Sequence, residues 1–78
     1  MAQTDKKTLL LSIGKRLKEL RKQKGYTSYE TFANDIDMTR SQYWKYENGK
    51  TNISVFTLLK ILLHLNISIK DFFSKGFG

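Results

Sequence analysis

A chain of 78 residues can build one small hydrophobic core and no second domain, so any activity must sit on the surface of that core. The absence of Cys removes disulfides and thiolate metal sites, and the sole histidine, His64, cannot assemble a metal site or a catalytic pair unaided. Lys and Arg number 14 against 7 Asp and Glu, and the resulting net charge of +7 favours a polyanionic partner, nucleic acid ahead of an anionic membrane.

The opening MAQTDKKTLLLSIGKRL carries one short apolar cluster between lysines, too short for a signal peptide or a spanning helix, so a cytoplasmic protein is expected. Residues 1–7 read as a flexible basic arm, residues 8–75 as the folded domain and residues 76–78 as a tail. From residue 8 to residue 24, Leu10, Ile13, Leu17 and Leu20 recur at helical spacing among charged positions, which predicts an amphipathic first helix. Gly25 follows a lysine-rich last turn and suits a left-handed cap. Either Thr27, with Glu30 three residues on, or Ser28 then opens a short helix over residues 28–36 that buries Phe32, Ala33 and Ile36.

Asp37 and Met38 form a brief turn, and Thr39, with Gln42 three residues on, opens a third helix that runs to about residue 48 and ends at Gly49. After a polar loop, Ser54 caps a strongly apolar helix ending at Asn66. Its apolar residues exceed one face, so part of it is left for a fifth helix or a partner. Ser68, with Asp71 three residues on, opens a last short helix carrying Ile69, Phe72 and Phe73. No Pro interrupts the series, and the fold class expected is all-α.

Two short helices joined by a tight turn, the second one basic and polar on one side, have the form of a helix-turn-helix. A period of 3.6 residues puts Tyr43, Tyr46 and Glu47 together as the inward face of the third helix. Arg40, Ser41, Trp44, Lys45 and Asn48 then face outward. Arg and Lys donate to guanine acceptors and Ser serves either kind of partner, so this face suits base edges in a major groove. Trp44 stands out there, since an exposed Trp is unusual unless it packs against sugar, a thymine methyl or a neighbouring side chain.

The ordered run Ile13-Gly14-Lys15-Arg16-Leu17, Leu20-Arg21, Phe32-Ala33, Thr39-Arg40-Ser41, Tyr46-Glu47-Asn48-Gly49 and Asn66-Ile67-Ser68 resembles the phage-repressor and Cro-like helix-turn-helix proteins, also called the xenobiotic-response-element family. The resemblance spans residues 13–73. It implies a compact five-helix, lambda-repressor-like domain whose helices 2 and 3 form the motif, bound as a dimer to a two-fold symmetric operator in double-stranded DNA. It places Arg40, Ser41 and Lys45 on base-reading positions with Trp44 between them, and Lys50 and Thr51 on a phosphate-binding loop, with Asn48 just before it a further candidate phosphate contact. Arg21 and Glu47 fall where the family has a structural ion pair. The interval from Gly25 to Ala33 is one residue longer than the family's, and Ser28-Tyr29 replaces its usual glutamine. Either hydroxyl is chemically able to make the phosphate contact there.

Lys6, Lys7, Lys15 and Arg16 read either as a DNA-reaching arm or as solubilising charge. Ile67, Ile69, Phe72, Phe73 and Phe77 exceed what a short terminal helix buries, so Ile69, Phe72, Phe73 and Phe77 are a candidate dimer surface beside their ordinary reading as core. The sequence therefore points to a sequence-specific DNA-binding regulator, most simply a repressor that occupies an operator. The alternative is an antitoxin-like or adaptor module that holds a protein partner through its apolar C-terminal region. No nucleophile and base are spaced to cooperate, so no enzyme, cofactor, metal or small-molecule site is expected.

Overall fold

Residues 5–77 are described by the structure, a computed structural model, and over them the chain forms five helices and no strand. They are α1 Lys6–Gln23, α2 Tyr29–Asp35, α3 Arg40–Glu47, α4 Val55–Leu65 and α5 Ile69–Phe72. A short polar side chain opens each one. Ser28, Thr39, Ser54 and Ser68 accept backbone N–H groups of the first turns of α2 to α5, satisfying donors that the helix itself cannot. Of the two caps considered for α2, the structure uses Ser28.

The start of α1 departs from expectation. Asp5 Oδ1 accepts from the Thr8 amide at 2.7 Å, and the helix begins at Lys6, not at residue 8. Lys6 and Lys7 are therefore helical and do not belong to a loose arm; residues 1–4 of that arm, and Gly78 of the tail, lie outside the described residues. The backbone hydrogen bond from Thr8 holds the Asp5 carboxyl below its ordinary value.

The helix ends share one device. After α1, Gly25 takes φ 105° while Tyr26 N donates to Arg21 O and Gly25 N to Lys22 O, the paired bonds of a Schellman turn. The same pattern closes α2 at Asp37 (φ 57°) and α3 at Gly49 (φ 64°), with Met38 N donating to Ala33 O and Lys50 N to Lys45 O. Asp37 is thus the left-handed residue that turns α2 into α3, a conformation its short polar side chain tolerates.

The core gathers Ile13, Leu17 and Leu20 of α1, Phe32 and Ala33 of α2, Tyr43 and Tyr46 of α3, four residues of α4 and Phe72 of α5, together with Ile36. Rings meet edge to face inside it, Tyr26 on Phe32 at 4.9 Å and Phe32 on Tyr43 at 5.1 Å. Backbone also approaches backbone where α1 crosses α3. A β-carbon built on Gly14 would lie 2.7 Å from the Tyr46 carbonyl oxygen and closer still to that of Glu47, so only glycine allows this crossing.

Two expectations fail in the core. Arg16 is buried, neither arm nor solubilising charge: its Nε donates to Phe72 O and its Nη2 to Asp71 O, both at 2.9 Å, tying α1 to the end of α5. Phe72 is fully buried and cannot be part of a dimer surface; its ring is core because Arg16 and the Phe73 and Phe77 rings close around the same turn.

Candidate nucleic-acid interface

The second helix of the motif is held by its inner face. Tyr43 is fully buried and Tyr46 nearly so, and Gln42 Nε2 donates to Tyr46 Oη at 2.6 Å. Glu47, the sole acid of α3, is turned inward, where it meets Arg21 in a bidentate pair of 2.6 and 3.3 Å with side-chain exposures of 5% and 3%. Arg21 Nη1 also donates to Tyr26 O at 2.7 Å, so the guanidinium joins α1, the loop before α2, and α3. Burial opposes the Arg21 charge, but the hydrogen bond and charge of Glu47 outweigh it and raise its pKa. The sequence-predicted structural pair is thus formed.

Tyr43 lies close to this pair. Burial first, and then the proximity of the Glu47 carboxylate, push its phenol far above the ordinary range, so it is neutral at any working pH. Its hydroxyl has no hydrogen-bond partner among the described residues.

Anchoring one side of α3 leaves the other in water. Arg40, Ser41, Trp44, Lys45 and Asn48 are all exposed, and the faces divide as helical spacing predicts. With Glu47 turned away, this surface shows two cations and no carboxylate, which is the electrostatic condition for approaching a duplex. Asn48 commits one amide N–H to Trp44 O at 2.9 Å. Lys50 is exposed beyond it and Thr51 is half-buried. At the start of α2 the two hydroxyls differ: Ser28 Oγ caps the helix and donates to Glu30 Oε1 at 2.8 Å, whereas Tyr29 is half-buried against the core. The Ser28 donor is therefore spent within the protein, which leaves Tyr29 as the better phosphate candidate of the two.

A second surface lies on α4 and α5. Val55, Phe56, Leu59 and Leu63 of α4 are exposed, Phe56 and Leu63 to 80%, beside exposed Ile69 and Phe73. Phe56, Leu59, Leu63, Ile67 and Ile69 line one apolar groove. Of the candidate surface residues Ile69 lines the groove, Phe73 is exposed, and Phe77 is half-buried against the Phe72 and Phe73 rings. The α4 residues are the larger part of the patch. Their signal in the sequence was an apolar count above one helix face, which does not say which residues stay outside.

Comparison with known proteins agrees with this geometry. The family model described as Helix-turn-helix matches residues 17–72. The chain is 44% identical over 64 residues to the control protein C.MunI of Mycoplasma sp, covering 82% of this chain and 86% of that protein. It is 43% identical over 63 residues to the SPbeta prophage-derived HTH-type transcriptional regulator YonR of Bacillus subtilis, covering 81% of this chain but only 56% of that longer protein. Its fold matches the crystal structure of the restriction-modification controller protein C.AhdI from Aeromonas hydrophila, with TM-score 0.74, 38% identity and coverage of 82% and 96% of the two chains. None of these relatives favours the adaptor alternative. A capped third helix pinned by an Arg–Glu pair, matched by a family model and by relatives such as C.MunI and C.AhdI over most of their length, makes the chain a member of the xenobiotic-response-element type of helix-turn-helix family, the DNA-binding transcriptional regulators.

Proposed function

We propose that the protein binds duplex DNA as a homodimer, with α3 of each copy in the major groove of one half-site, and controls the genes of a restriction-modification system. The observation that carries the reading is the outward face of α3, where Arg40, Ser41, Trp44 and Lys45 stand exposed on a helix whose other face is locked into the core. Arg40 and Lys45 donate to guanine edges and Ser41 to a neighbouring base, while Lys50, Thr51, Asn48 and Tyr29 hold phosphates on either side. The self-complementary partner for the apolar α4–α5 patch is a second copy, since an isologous contact buries Phe56, Leu59 and Leu63 against themselves. Such a dimer sets two α3 helices one duplex turn apart and demands a palindromic operator. Likeness to C.MunI and C.AhdI supports the regulatory target. Repression by covering a promoter is the simplest output, and a DNA partner implies a cytoplasmic site of action; no helix among the described residues is long and apolar enough to cross a membrane.

The test is selection of bound sites from random duplexes at stated salt, followed by titration of the preferred site. Arg40→Ala with Lys45→Ala should lose about 1–3 kcal/mol per base contact and relax the sequence preference while keeping the wild-type melting temperature. Leu63→Glu should sediment as a monomer and bind a single half-site at most. An unchanged site preference in the first variant refutes the role of α3, and an intact dimer in the second refutes the role of the patch.

A further inference from the structure

Trp44 is the largest side chain on the exposed face of α3, and the protein covers it only in part. It keeps 40% of its surface in water, belongs neither to the core nor to the half-buried residues packed on it, and makes no ring contact with a described aromatic. Arg40 lies one turn before it, Lys45 beside it, and Asn48 one turn after it, gripping the Trp44 carbonyl at 2.9 Å and fixing the backbone from which the ring projects. The part of the indole that stays in water is uncovered by any side chain among the described residues. In the major groove one apolar group is presented by the bases, the C5 methyl of thymine.

We infer that Trp44 is a specificity-determining residue that reads a thymine methyl at one position of each half-site. The inference rests on α3 occupying the major groove, as proposed above. Neighbouring Arg40 and Lys45 fix the register through guanine, and the indole then covers the methyl of an adjacent pair, excluding water from it. A ring packed on deoxyribose would feel no difference between thymine and uracil, so the methyl itself is the discriminating chemistry.

The experiment replaces each thymine of the selected operator, one at a time, by uracil, which removes the methyl and preserves base pairing. With the wild-type protein, one position per half-site should bind about fourfold more weakly, the value of burying one methyl-sized group. Trp44→Ala, checked for an unchanged melting temperature, should bind the thymine and uracil duplexes equally. Sensitivity to uracil that survives in Trp44→Ala, or its absence at every position in wild type, overturns the inference. In either case, a site preference that still changes in Arg40→Ala leaves α3 as the reading helix; a preference indifferent to Arg40 removes that reading and this inference together.

Discussion

Gly14 to Ala is the substitution that most directly tests how α3 is held. Helix propensity alone predicts a gain, because Ala is better than Gly by about 1 kcal/mol in a helix interior. Packing predicts the reverse. The new methyl would stand 2.7 Å from the Tyr46 carbonyl oxygen and nearer that of Glu47, both backbone atoms that cannot rotate aside. Relief requires α1 and α3 to part by several tenths of an ångström or more, and a gap of about 0.5–1 Å already forfeits a quarter to a half of each dispersion contact across the crossing. The separation also stretches the Arg21–Glu47 pair, whose shorter bond is 2.6 Å. Overpacking of a rigid site costs about 3 kcal/mol at the upper end of its usual range, so the net loss is about 2 kcal/mol. For a domain this small that lowers the melting temperature by roughly 8–16 °C. Thermal unfolding followed by circular dichroism at 222 nm measures it. A variant melting at or above wild type would mean that propensity governs position 14 and that the two backbones do not touch as described.

Two further perturbations bear on the same junction. Glu47→Ala strands the Arg21 guanidinium, 3% exposed, with the Tyr26 carbonyl as its one remaining partner among the described residues, and should cost about 3–5 kcal/mol in urea unfolding; a loss below about 1 kcal/mol would show the pair to be solvated like a surface bridge. Tyr43→Phe deletes a buried hydroxyl that lacks a partner among the described residues and should stabilise the domain by on the order of 1 kcal/mol, raising the melting temperature by several degrees. A fall instead would reveal a bond from that hydroxyl to Glu47 in solution.

Much of this protein is determined locally. Helix starts at Ser28, Thr39, Ser54 and Ser68 and stops at Gly25, Gly49 and Asn66 depend on the residue at or beside the end it serves, a capping hydroxyl or a residue that tolerates positive φ, so they are legible in the order of residues. The two faces of α3 follow from helical period alone, and the Arg21–Glu47 pair from resemblance. What tertiary structure decided lies between residues far apart in sequence. Arg16 looks like one more surface cation until the Asp71 and Phe72 carbonyls, 55 and 56 residues away, arrive to bind it. Phe72 and Phe73 are equivalent as letters, yet one is wholly inside and the other 38% exposed, because only one side of a four-residue helix can face the core. Gly14 shows no sign in its neighbours that a helix end will rest on it. Composition and period set which segments coil and which faces are apolar; the excess of apolar surface on α4, and its assignment to a free patch, is settled only when the other helices have taken the area they can cover.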